Sequence, residues 1–303
     1  MINLRHIKFL VIIIFSLLLS SQSFADKKFE KDLKKISKDN GFIDNFGNIY
    51  SDDKITDKSK TILIIYTHGG MGDQTLDKCL KKWNLVAPVI RNLHDKRIKN
   101  YQIKIYRLCT GVRGWSKAEQ DKMWKSTSKK RLTLKNSEGE LLFHKVKDFL
   151  RIKIIKAKID QFKSDGFENI VLAGHSMGGW ASLKFKTIHP NLIEGSIGLH
   201  PGSGGTKKNR KDWPWWEEVR NYGFGNLSNL NALIVTHDKD NFNSPDDYSM
   251  FKNLTEVKFV NITSSECKKK ATLGGYHGLA LTKCFADKDP RSKKITKYLE
   301  GIF

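Results

Sequence analysis

A serine held between glycines at a strand-to-helix junction constrains this chain more than any other feature. Gly174-His175-Ser176-Met177-Gly178 follows the short apolar run Asn169-Ile170-Val171-Leu172-Ala173, rich in β-branched residues, and precedes Gly179-Trp180-Ala181-Ser182-Leu183-Lys184-Phe185, which reads as the start of a helix. A chain that leaves a buried strand and enters a helix within so few residues must turn sharply, and the residue at the tip is forced into a strained backbone conformation. Glycines on either side remove the Cβ atoms that would hold strand and helix apart. Such a turn lifts the serine hydroxyl above the end of a sheet. The five-residue pattern alone is weak. The strand before it, the helix after it and correctly ordered partners elsewhere make it specific.

The rest of the chain alternates in the same way. Residues 61–67, 101–108, 193–199, 232–236 and 256–262 read as strands, and about 76–96, 146–163 and 291–299 as helices; the second helix has apolar residues at 146, 149, 150, 154, 155 and 159. Helical segments between strands imply a mainly parallel central sheet with helices on both faces, an α/β architecture. With 303 residues and no internal repeat, one catalytic domain over 61–303 is the simplest organisation. An N-terminal arm at 26–60 carries an expected hairpin around Asn45-Phe46-Gly47-Asn48. An insertion at 111–145, with a second hairpin expected at 136–139, covers one end of the sheet. A small lid is expected at about 203–228.

Residues 1–25 differ in character from the remainder of the chain. Arg5 and Lys8 give a positive start, residues 9–19 are apolar but too few to span a bilayer, and Ser23-Phe24-Ala25 offers small residues where a signal peptidase reads. A secretory signal peptide cleaved after Ala25 is expected, placing the mature chain in the periplasm or outside the cell with no stable membrane insertion. Losing Arg5 and Lys8 takes the formal charge from +22 to +20. The excess comes from lysines scattered along the chain rather than from arginine, the better phosphate reader. No nucleic-acid motif accompanies them, so nucleic acid is not expected as a partner. Four cysteines, Cys79, Cys109, Cys267 and Cys284, in an exported chain point to two disulfides. Three pairings are possible. Cys79–Cys109 and Cys267–Cys284 are preferred, because the first ties a helix to the end of the neighbouring strand and the second closes a loop carrying His277.

Serine is a poor nucleophile until a base takes its proton, and that base needs an acid to fix its tautomer. After a strand–turn–helix of this kind the expected chain order is serine, acid, histidine. Asp240, in the loop after the strand at 232–236, is the first choice for the acid and Asp238 the second. Only one histidine follows Asp240, so His277, in Gly274-Gly275-Tyr276-His277-Gly278, is the expected base. The developing oxyanion needs two backbone donors. Met177 supplies one. Gly70, in His68-Gly69-Gly70-Met71-Gly72 after the strand at 61–67, supplies the other, with Met71 as the alternative; His68 braces this loop. Trp213, Trp215 and Trp216 are a candidate wall of the substrate pocket.

Together, HGGMG at 68–72, GHSMGG at 174–179, Asp240 and His277 resemble the α/β-hydrolase family over roughly 61–303. The resemblance implies an esterase- or lipase-like serine hydrolase that uses no metal and no cofactor, with a small-molecule ester as substrate. A peptidase or amidase is the nearest rival, and a non-catalytic binding protein on a hydrolase scaffold is the other alternative. Oligomeric state is left open.

Overall fold

The computed structural model describes residues 41–43, 49–50, 55–70, 86–110, 117–125, 134–135, 139, 147–212, 220–221, 223–263, 266–270 and 275–303. Nine strands form one sheet among them: β1 (Gly41–Ile43), β2 (Ile49–Tyr50), β3 (Thr61–Thr67), β4 (Arg97–Ile98), β5 (Tyr101–Leu108), β6 (Asn169–His175), β7 (Gly195–Leu199), β8 (Ala232–His237) and β9 (Val257–Ile262). The helices are α1 (Pro88–Arg91), α2 (Lys117–Lys125), α3 (Lys147–Ser164), α4 (Met177–Ile188), α5 (Lys207–Asp212), α6 (Lys283–Lys288) and α7 (Lys293–Ile302). The strand order is β2-β1-β5-β3-β6-β7-β8-β9, with β4 against β5. Every pairing from β1 through β9 along this order is parallel; only the β1–β2 and β4–β5 ribbons are antiparallel. This is the α/β-hydrolase fold expected from the sequence.

The middle strands are apolar on both faces because both faces are covered. Along β3, Ile62, Ile64 and Tyr66 join one core with Phe285, Ile295 and Leu299, while Leu63 and Ile65 join another with Ile155, Ile159 and Phe162 of α3 and Phe185 of α4. The alternation is the two-residue period of a strand. A third cluster packs Trp180 and Leu183 of α4 against Ile234, Tyr248 and Phe251.

Some boundaries differ from expectation. The helix expected at 76–96 is not continuous: its described part holds only α1, followed by a turn and β4. Pro88 sits at the first helical position and pushes Ala87 to an extended conformation (φ −53°, ψ 133°), so a helix can begin there but not run through it. At the other end, Asp95 has φ 62° and ends the helical path. The strand expected from 193 starts at Gly195. The hairpin expected around residues 45–48 is present as the β1–β2 pair, and β1 adds to the sheet beside β5; its connecting residues lie outside the described ones. So do residues 1–25, most of the hairpin at 136–139, and Trp213, Trp215 and Trp216. No helix among the described residues is long and apolar enough to cross a membrane.

Candidate active site

Register places the site. Thr67 at the end of β3 pairs with Gly174 in β6, His175 pairs with Leu199 in β7, and Leu199 pairs with Val235 in β8. The chain segments leaving β3, β6, β7 and β8 therefore emerge side by side along one edge, the carboxyl edge where open parallel sheets bind ligands.

Ser176 stands between β6 and α4 with φ 51° and ψ −123°. A non-glycine residue there carries strain of order 1–3 kcal/mol, held in place by its surroundings. Those surroundings are hydrogen bonds: Ser176 N–H donates to Leu199 O at 3.1 Å, and Ser176 O accepts from Trp180 N at 2.9 Å and Gly202 N at 3.0 Å. The flanking glycines are needed for contact. A Cβ on Gly174 would lie 2.5 Å from Gly178 C and from Thr67 Oγ1, and one on Gly178 would run into the carbonyl oxygens of Thr67 and His68.

Asp240 leaves the end of β8 and is 2% exposed. Its Oδ2 accepts from Nδ1 of His277 at 2.9 Å and from Nδ1 of His200 at 3.1 Å. Its Oδ1 accepts from Phe242 N at 2.8 Å and Asn243 N at 3.4 Å. Burial would raise the pKa of this carboxyl. The hydrogen bonds and nearby imidazoles of His200 and His277 outweigh burial and hold it well below the usual carboxylate range, so it is ionised. An ionised carboxylate only accepts, which places a proton on Nδ1 of His277; in the neutral ring that tautomer carries its lone pair on Nε2. That Nε2 is buried without a hydrogen-bond partner. The Ser176–His277 hydrogen bond is therefore not formed here, although Asp240, His277 and the Ser176 turn are all gathered at one edge. Asp238, the second choice for the acid, is exposed and accepts from Asn261 Nδ2 at 2.7 Å; it takes no part in the site.

Two further histidines complete the cluster, and neither was assigned from the sequence. His175, next to the serine, contacts His277: its Nε2 lies 2.9 Å from His277 O and the ring centroids are 4.9 Å apart. Because a carbonyl accepts only, His175 donates, pinning the backbone of His277 to the turn that bears Ser176. Burial, then the neighbouring His277, push His175 well below its ordinary pKa of 6.5, and burial lowers His200 despite the pull of Asp240. Both are neutral supports. Phe242 stacks on the His277 ring at 4.2 Å and 24°. A strand-end histidine such as His200 was visible in His200-Pro201-Gly202, but only the fold brings it to Asp240.

The loop after β3 lies against the turn. A Cβ on Gly69 would be 3.5 Å from Ser176 Cβ, and one on Gly70 would be 3.2 Å from Met177 Cε. His68 is buried and neutral, lowered by burial and then by the charges of Arg151 and Arg107, and its Nδ1 donates to Gly69 O at 2.8 Å. Met177 is the first residue of α4, where backbone N–H groups have no acceptor within the helix. Met71 lies outside the described residues.

Cys267 and Cys284 form a disulfide that brackets His277, as expected. Cys109 is disulfide-bonded and no described cysteine is free; Cys79 lies outside the described residues. At the far end of the expected lid, Arg220 O accepts from the indole N–H of Trp180 at 3.1 Å. Among the described residues, the one trio of possible metal ligands in reach of each other is His200, Asp240 and His277. Its atoms are already joined by N–H···O bonds, which commits both Nδ1 atoms as donors rather than as metal ligands.

A mainly parallel sheet in this order, with Ser176 on a strained strand-to-helix turn and the Asp240–His277 pair at the same edge, is the arrangement of the α/β-hydrolase fold. No family model matches the chain, and no curated protein does. Solved structures with a similar outline include a metagenome-derived lipolytic enzyme (14% identity over 82% of this chain and 95% of that one, TM-score 0.42). Est1E from Butyrivibrio proteoclasticus is similar at 15% identity over 80% of this chain and 87% of that one, TM-score 0.41. A monoacylglycerol lipase from Paleococcus ferrophilus is similar at 12% identity over 80% and 95%, TM-score 0.43.

Proposed function

We propose that this chain is an exported serine hydrolase that cleaves carboxylic esters through an acyl-enzyme. The observation that carries this reading is the Asp240–His277 pair, with His277 Nε2 unpartnered and its backbone tied by His175 to the turn that bears Ser176.

On this reading, substrate binding draws Ser176 Oγ onto His277 Nε2, a bond that apo sites often leave unmade. Nε2 takes the hydroxyl proton as Oγ attacks the carbonyl carbon. The C=O π pair moves to oxygen, and the resulting oxyanion is held by the N–H groups of Gly70 and Met177. Asp240 stabilises the imidazolium. Collapse of the tetrahedral intermediate expels the alcohol, which leaves with the proton from Nε2. Water then attacks the acyl-enzyme with the same base, releasing the acid and restoring Ser176. Trp213, Trp215 and Trp216 are proposed to line the acyl or alcohol pocket, and removal of residues 1–25 to accompany export.

The test combines labelling with substrate choice. A fluorophosphonate probe should label the mature protein and not Ser176→Ala. A panel of p-nitrophenyl esters and aminoacyl anilides should show turnover of the esters. Labelling with turnover of anilides alone replaces the esterase by a peptidase or amidase. A folded protein that takes no label is a binding protein on a hydrolase scaffold.

A further inference from the structure

The loop proposed to supply the second oxyanion donor contains two consecutive glycines, Gly69 and Gly70. A peptide unit between glycines rotates with little steric penalty, because neither residue has a Cβ to exclude positive φ. Rotated one way, the Gly69–Gly70 peptide offers its N–H to the substrate oxygen. Rotated the other, it offers the Gly69 carbonyl and repels an oxyanion. Something must hold this peptide.

Arg151, on the first turns of α3, does so. Its side chain is buried, with the residue 1% exposed. Nη1 donates to His68 O at 2.7 Å and Nη2 donates to Gly69 O at 2.9 Å. One planar guanidinium thus grips two successive carbonyls, and Gly69 O receives a further hydrogen bond from His68 Nδ1 at 2.8 Å. The peptide that carries Gly69 O also carries the N–H of Gly70. It is planar and trans, with no cis bond among the described residues, so its C=O and N–H point in opposite directions. Fixing the carbonyl on the guanidinium therefore fixes the N–H on the side away from it. We infer that Arg151 is a positioning residue of the oxyanion hole: its fork on the His68 and Gly69 carbonyls sets the direction of the Gly70 N–H. This rests on the proposed roles of Ser176 and Gly70. Lysine cannot substitute, because a compact ammonium lacks the rigid fork.

The test uses Arg151→Lys, which keeps the charge, and Arg151→Met, which removes it, with active sites counted by fluorophosphonate labelling of Ser176. In both variants kcat per labelled site should fall by about 100-fold, the scale of losing one oxyanion donor, while KM moves by less than about threefold. The inhibition constant of an alkyl boronic acid, which forms a tetrahedral adduct on the serine oxygen, should rise by about the same 100-fold. The pH profile of Arg151→Lys should not move, since that variant keeps the charge at 151 and leaves Asp240 and His277 untouched. Per-site kcat and boronate affinity at wild-type level, whether or not the melting temperature drops, would overturn the inference by leaving Arg151 a purely structural role. Full recovery in Arg151→Lys beside a loss in Arg151→Met would also overturn it, because charge rather than geometry would then carry the effect. If Arg151→Met does not fold, the lysine variant decides alone. Failure of the wild-type protein to label at Ser176 would instead sink the parent reading.

Discussion

Asp240 makes the site sensitive to single atoms. Its Oδ2 serves two imidazole donors while Oδ1 serves two backbone N–H groups. Asp240→Asn keeps the shape but supplies a neutral amide, so the Nδ1–H tautomer of His277 loses its anchor. A fall in kcat of about 1,000- to 10,000-fold with intact folding is expected, read by ester turnover and circular dichroism. His200 offers a finer test. Its Nδ1–H draws on the same oxygen as His277, so removing it leaves more negative charge facing His277. His200→Leu should move the acidic limb of kcat/KM to higher pH, because the Asp240 oxygen the two rings share then keeps more of its charge. His200→Asn should leave the limb nearly in place, because its amide can donate in the same direction and asparagine tolerates the φ of 46° at this position. An unmoved limb in His200→Leu would mean that His200 only fills space.

At the scale of elements, the proposed base is carried by a short turn rather than by the sheet. His277 lies in the 3₁₀ segment Gly275–Leu281, and the Cys267–Cys284 bond, spanning 17 residues, ties that segment at both ends. Replacing both cysteines by alanine should lower stability by about 2–3 kcal/mol in urea denaturation, as expected when a closed loop of this length is opened. Ester turnover should drop by more than stability does, because the loosened loop carries His277; full activity in the folded double variant would show that His175 and Asp240 suffice to place it. The double variant is preferable to a reductant because Cys109 is also disulfide-bonded. The strained turn at Ser176, the meeting of Asp240 with His277 and the Cys267–Cys284 bond were legible from local pattern and chain order: a glycine-flanked turn after a strand, an acid after a strand, one remaining histidine and two cysteines on either side of it. Arg151 and His200 were not. Arg151 is one basic residue in a lysine-rich helix, and its carbonyl partners lie 82 and 83 residues earlier. His200 meets Asp240 only because β7 and β8 are neighbours. The break in the helix expected at 76–96 was legible too, since Pro88 suits the start of a helix and not its interior.

Across the whole molecule, the buried histidines couple the site to acid stability. Burial is the leading cause that holds His68, His175 and His200 below their ordinary pKa of 6.5, and it takes His237 down to about 4. When the chain unfolds below pH 6.5, each of these rings can bind a proton that the folded state refuses. The unfolded state then holds more protons, so stability rises with pH between the folded and unfolded pKa values and falls as the solution is acidified through that window. Each such ring contributes a slope of up to about 1.4 kcal/mol per pH unit. Asp240 acts in the same direction at lower pH: its folded pKa is depressed, so its contribution is present above the ordinary carboxylate value and is lost on further acidification. The 54 lysines and arginines against 32 acidic residues add to this, because protonating carboxylates leaves the excess positive charge less balanced and raises self-repulsion in the compact state. Urea midpoints should therefore be near constant from pH 8 to 7 and decline steeply from pH 6.5 to 4.5. Replacing His175 and His200 together by asparagine should flatten that decline, even though it weakens the fold at pH 7. A midpoint that holds level to pH 5 in the wild-type protein would mean that these rings accept protons inside the fold, and the neutral supports assigned to Asp240 and His277 would then have to be redrawn as charged ones.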